Sequence, residues 1–147
     1  MTDDLVLRRQ VCFALYAASR AFTDVYRPIL DEFGLTYPQY LVLLVLWEHD
    51  EPPTVSELGT RLHLDSGTLS PLLKRLEGAG LVVRRRSAAD ERRVAVELTP
   101  PGRALRERMA DVPRRVARAT GLSVDELVAL RDTLTRVTET IHRQKEQ

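Results

Sequence analysis

One cysteine, no apolar run of membrane-spanning length and almost no net charge: each shortage in this 147-residue chain excludes something. With Cys12 as its single cysteine, the chain forms no intramolecular disulfide. Its longest apolar run, residues 40–47, falls far short of the roughly 20 residues that span a bilayer. His49, His63 and His142 are scattered without metal-ligand spacing, so no metal site and no cofactor is expected. The opening Met1-Thr2-Asp3-Asp4 is acidic, unlike a secretory signal, and a cytoplasmic location without membrane attachment is expected. The formal net charge is only +1, but it is unevenly spread. Residues 1–53 carry four cations and eight anions, residues 54–99 eight and six, and residues 100–147 ten and seven. Any polyanionic partner should therefore avoid the N-terminal third. Arginine outnumbers lysine 20 to 2, a ratio that genome base composition explains as well as phosphate binding does.

What is present is concentrated between Thr54 and Thr99. Thr54-Val55-Ser56-Glu57 has the form of a capping box, which starts a helix near residue 55 with Leu58 and Leu62 on its apolar face. His63-Leu64 lead to Asp65, a second N-cap, after which Leu69, Leu72, Leu73 and Leu76 repeat at helical spacing to about Ala79. The opposite face of this second helix, residues 65–79, carries Ser66, Thr68, Ser70, Lys74 and Arg75. Short hydroxyls followed by cations suit base edges and phosphates. Gly78 and Gly80 suit a C-terminal cap.

The period then changes from helical to alternating. Residues 81–83 read as one strand, and Val94, Val96 and Leu98 alternate with Ala95 and Glu97 as a second. Between them Arg84 to Arg93 hold five arginines against two acids, a positive hairpin that a phosphate backbone attracts, Arg84 and Arg86 included. A leucine stripe or an arginine run alone is ordinary. Their succession predicts a winged helix-turn-helix over 54–99 in a mainly α chain with a small β wing, and double-stranded DNA as its partner.

Both flanks, 1–50 and 100–147, read as helices. Cys12, Leu15, Ser19, Phe22, Tyr26, Ile29 and Phe33 alternate spacings of three and four, the seam of a helix lying along another. Pro28 is expected to kink or end that helix, and Gly34 to close the segment. Pro38 opens a second apolar helix through Trp47, closed by Pro52-Pro53. Pro100-Pro101 start a long arginine-rich helix reaching toward Ala119, interrupted by Pro113, and Ser123-Val124-Asp125-Glu126 is another capping box. The helix it begins repeats Leu127, Leu130, Leu134, Val137 and Ile141 at the same alternating spacing. Such seams serve packing within one subunit in many proteins. A lone winged helix has few surfaces for two of them, so the flanks are expected to be dimerisation helices of an intertwined homodimer.

The element order, the wing motif Asp90-x-Arg92 followed five residues later by Leu98-Thr99, and the helical flanks resemble the MarR family of dimeric winged-helix regulators. Within it, residues 12–16 (CFALY), 26–28 (YRP), 36–40 (TYPQY), 46–48 (LWE) and 64–69 (LDSGTL) resemble the organic-hydroperoxide-sensing OhrR group. The resemblance covers nearly the whole chain and implies a repressor, not an enzyme, on a pseudo-palindromic operator. It also implies that Cys12 is the peroxide-reactive residue, that Tyr26 and Tyr37 hydrogen-bond its sulfur with Tyr16 in support, and that Arg92 enters a minor groove.

On the residues alone, a lone cysteine on a helix seam reads first as a small buried hydrophobe. As a sensor it would attack a peroxide as thiolate and become a sulfenic acid, with phenol donors near the sulfur. Cys12 and Tyr26 stand 14 positions apart, about 21 Å on one unbroken helix, so Tyr26 would have to come from the partner subunit. Without a resolving cysteine the chain resembles the one-cysteine type, whose sulfenate condenses with a low-molecular-weight thiol or is overoxidised. Two alternatives belong to other classes. One is a regulator binding a small aromatic ligand beside Tyr16, Tyr37 and Trp47. The other is a thiol peroxidase, for which a second cysteine is missing and a winged helix superfluous.

Overall fold

The computed structural model describes residues 4–147, so Met1, Thr2 and Asp3 of the acidic start lie outside the described residues. A 3-10 turn at Leu7–Arg9 precedes α1 (Val11–Asp31), α2 (Tyr37–Glu48), α3 (Val55–Leu62) and α4 (Ser66–Gly78). Strands β1 (Val82–Arg86) and β2 (Val94–Leu98) follow, then α5 (Pro100–Arg108), α6 (Val112–Thr120) and α7 (Val124–Lys145). The chain is mainly α with one small antiparallel wing, in which Val82 faces Leu98 and Arg86 faces Val94. It divides into two compact units, one ending at Ala110 and the other covering Asp111–Gln147.

In the first unit the core lies where α2, α3, α4 and the wing meet. Val42, Leu43, Leu58, Leu69, Leu73, Leu76, Val82 and Val96 are essentially inaccessible, which accounts for the leucine stripe of α4. The helix starts follow local chemistry. Thr54 and Glu57 form the reciprocal capping box of α3, and the Asp65 carboxylate accepts from the Thr68 backbone N–H at 2.7 Å to begin α4. Between these helices His63 adopts a left-handed conformation (φ 56°), and the Leu64 backbone N–H donates to the Gly59 carbonyl at 2.9 Å. A Cβ on Gly59 would lie 2.7 Å from the Leu64 carbonyl oxygen, so the turn needs glycine there.

Several expectations need correction. Helix α1 continues three residues past Pro28, because the burial of Ile29 and Leu30 holds its last turn in place. Pro38 does sit in the first turn of the helix through Trp47, which begins at Tyr37 under a capping box between Thr36 and Gln39. The helix over 100–119 is interrupted as expected, but the break precedes Pro113, which sits in the first turn of α6, where its missing N–H costs nothing. Arg84, Arg85 and Arg86 belong to β1 rather than to the loop. The chain before α3 also joins the wing: the Val96 N–H donates to the Pro53 carbonyl at 2.9 Å, and Thr54 bridges to Ala95.

The flanking seams stand largely open. In α1 only Ile29 and Leu30 are buried, while Val11, Phe13, Leu15 and Tyr16 are exposed. In the second unit Val112 and Val116 of α6 are buried, but α7 has no buried residue in its 22 and exposes Val124, Val128, Leu130, Val137 and Ile141.

Candidate nucleic-acid interface and thiol site

The side of the winged helix formed by α3, α4 and the wing holds a groove of about 870 Å³. Ser66 and Ser70 reach it from α4, Arg84 from β1, and Arg92 from the hairpin, which brings four residues singled out in the sequence to one surface. Thr68, Lys74 and Arg75 are exposed on α4 outside its lining. Ser56, Thr60 and Arg93 also line it and escaped the sequence reading. Their signal was available: Ser56 and Thr60 are four apart on the polar face of α3, opposite the buried Leu58.

Each wing arginine has a defined partner. Arg84 Nε donates to Glu77 at 2.8 Å, Arg85 Nε to Glu97 at 2.9 Å, and Arg86 Nη1 to the Glu91 carbonyl at 3.2 Å. Asp90 Oδ1 accepts from the Arg92 backbone N–H at 3.1 Å and from Arg92 Nε at 3.3 Å. That contact orders the hairpin while leaving the Arg92 side chain 93% exposed. A positively charged, pre-shaped tip beside a hydroxyl-bearing helix is chemically suited to a phosphate backbone and groove edges.

Cys12 is the second residue of α1 and is exposed in the single chain. Tyr16, one turn later, is exposed, and the Arg20 guanidinium lies 5.6 Å from its ring centre and donates to its hydroxyl at 3.3 Å. Tyr26 is elsewhere, in a cluster with Tyr37 (4.8 Å between ring centres) and Tyr40 (5.9 Å). Burial, with Tyr37 and Tyr40 beside it, pushes the Tyr26 phenol up to about 12. Burial also raises Tyr37 and Tyr40. Tyr26 and Tyr37 border a cleft of about 330 Å³ with Thr23, Arg27 and Pro38. Of the aromatics a ligand-binding alternative would use, only Tyr37 lines that cleft; the Trp47 indole instead donates to the Gly102 carbonyl at 3.0 Å.

Known proteins place this geometry in context. Residues 24–109 match the family model described as transcriptional regulator SarA/Rot. The chain is 47% identical over 141 residues to the organic hydroperoxide resistance transcriptional regulator of Bacillus subtilis strain 168, covering 96% of this chain and 95% of that protein. It is 51% identical to the HTH-type transcriptional regulator TtmR of Methylorubrum extorquens, over 95% of this chain and 71% of that protein. Among solved structures it resembles reduced AbfR bound to DNA, with a TM-score of 0.76 and 38% identity over 92% of this chain and 94% of that one.

Proposed function

Since the chain belongs to the SarA/Rot transcriptional regulators of the MarR superfamily, we propose that it is a repressor that releases its DNA operator when an organic hydroperoxide oxidises Cys12. The observation carrying this reading is the 47% identity to the Bacillus subtilis organic hydroperoxide resistance transcriptional regulator, and Cys12, near the start of α1, is set among the apolar Val11, Phe13 and Leu15. An apolar approach favours alkyl and aryl hydroperoxides. The thiolate of Cys12 attacks the terminal peroxide oxygen, the O–O bond breaks, and the sulfur becomes sulfenic acid while the alcohol leaves with a proton. A small cellular thiol then attacks the sulfenic sulfur, giving a mixed disulfide and water.

In this reading 54–99 is the DNA-binding region, and 1–50 and 100–147 are the helices of a homodimer. The unburied faces of α1 and α7 support the dimer, because exposed apolar stripes of that length are stable only when covered. On DNA, Ser66, Thr68, Ser70, Lys74 and Arg75 of α4 face a major groove, Arg84 and Arg86 attract phosphate, and Arg92, held by Asp90, enters the minor groove. Two such helices read half-sites about one helical turn apart, roughly 34 to 36 Å. No helix among the described residues is long and apolar enough to cross a membrane. Action in the cytoplasm, where the operator is, follows from the reading.

The test is Cys12→Ser. A duplex enriched by the wild-type protein from a random pool is titrated with and without cumene hydroperoxide. Cys12→Ser should bind as wild type and stay bound after peroxide. Release as ready as that of wild type would overturn the sensor and favour a small ligand in the cleft beside Tyr26 and Tyr37.

A further inference from the structure

An acid at the end of α4 is out of place by itself. Glu77 is the penultimate residue of the helix, where the carbonyl ends present partial negative charge and a carboxylate is unfavourable. Its compensation comes from outside the helix. Glu77 Oε1 accepts from the Arg84 backbone N–H and from Arg84 Nε, both at 2.8 Å. The Glu77 and Arg84 side chains are half-buried, at 33% and 30% exposure, and Arg84 differs in this from Arg85 and Arg92, which are 66% and 93% exposed. These hydrogen bonds hold the Glu77 carboxyl below the usual carboxylate range.

The arrangement links the two parts of the groove. Arg84 stands on β1 opposite Val96, and its N–H points to the strand edge that no other strand covers, so the carboxylate takes the place of a neighbouring strand. Arg84 lines the groove with Ser66 and Ser70, whereas Glu77 does not. With Nε engaged, the guanidinium keeps its two terminal nitrogens as a fork for a phosphate. We propose that Glu77 is a positioning residue for DNA recognition: by fixing both the backbone and the side chain of Arg84, it sets the wing against α4 so that the two meet DNA as one body. The proposal rests on the DNA-binding reading above.

Charge alone and positioning make opposite forecasts. Removing an acid near a polyanion strengthens binding, whereas releasing the wing weakens it. The experiment measures affinity at fixed salt for two duplexes, one enriched by the wild-type protein and one of unselected sequence. Glu77→Ala should lose about tenfold or more on the enriched duplex and clearly less on the unselected one, where the wing and α4 need not meet the DNA in register. Glu77→Gln keeps an acceptor for both N–H groups and should recover most of the loss. In an Arg84→Ala background, where only the backbone N–H remains for the carboxylate, Glu77→Ala should cost clearly less than in wild type, which a role for Glu77 independent of the Arg84 side chain would not produce. Tighter or equal binding of the enriched duplex by Glu77→Ala, or an unchanged cost in the Arg84→Ala background, overturns the proposal. A wild-type protein that enriches no duplex overturns the DNA-binding reading itself.

Discussion

Cys12 and Tyr26 stand on one continuous helix, 14 residues and about 21 Å apart, and cannot touch within a chain. If a Tyr26 phenol supports the Cys12 sulfur, it belongs to the partner subunit. Mixed dimers test this directly. A heterodimer of Cys12→Ser with Tyr26→Phe contains one cysteine, carried by the Tyr26→Phe subunit. Pairing across the interface gives that cysteine a native tyrosine, and it should oxidise at the wild-type rate. Oxidation at the rate of the Tyr26→Phe homodimer would assign the pair to one chain and sink the exchange.

Arg92 is the most exposed of the wing's ion-paired arginines, tethered only through Asp90. Because it supports nothing beneath it, Arg92→Ala should leave the melting temperature unchanged. Operator affinity should fall about tenfold or more, with the slope of log affinity against log salt lower by about one if a phosphate contact is lost. Binding indistinguishable from wild type would remove Arg92 from the interface.

The parts of this fold that could be read from sequence are those built by neighbours. The capping boxes at Thr54 and Ser123, the cap at Asp65 and the left-handed Gly80 each depend on residues within one turn, so their signals are local. The extent of β1 was not legible, because Arg84 to Arg86 become strand only through partners eight to twelve residues away. Nor was the link between Pro53 and Val96, which joins residues with no periodic relation. Pro28 does not end α1, because a proline's effect depends on the packing beyond it, and Ile29 and Leu30 are buried there. At the candidate site, the wing motif pointed to Asp90 beside Arg92, but nothing local pointed to the carboxylates that hold Arg84 and Arg85. Glu77 belongs to a helix pattern, and its role emerges only when β1 folds back beside it.

Glycine replacements should change sign with position. A Cβ on Gly102 would overlap the Leu81 carbonyl oxygen and press on Leu98, so α5 can reach the wing only with glycine there. Gly102→Ala should cost about 2 to 3 kcal/mol despite alanine's better helix propensity. At Gly78, also helical, nothing lies within 4 Å of the added methyl, and Gly78→Ala should stabilise by up to about 1 kcal/mol. Denaturant melts at one protein concentration compare them. Equal effects at both sites would contradict the close approach of Gly102 to Leu81.

Stability should decline at both ends of the pH scale, from different groups. Asp65 and Glu77 have carboxyls held below their ordinary values by hydrogen bonds, Asp65 by the Thr68 N–H and Glu77 by Arg84. Their contribution is fully present above the unfolded value of about 4 and is lost as pH falls through the lowered folded values. Asp65→Asn and Glu77→Gln should each flatten the acid side of the stability curve. Tyr26 works in the other direction: its folded phenol is raised to about 12, so its contribution persists below the unfolded value of about 10 and disappears as pH rises through the folded one. Phenolate absorbance followed upward in pH should show a last step near 12 that Tyr26→Phe removes. Because Tyr37 and Tyr40 are raised in the same cluster, losing one ring should also ease ionisation of its neighbours. A last step that survives Tyr26→Phe unchanged would mean that the three rings do not share one buried environment.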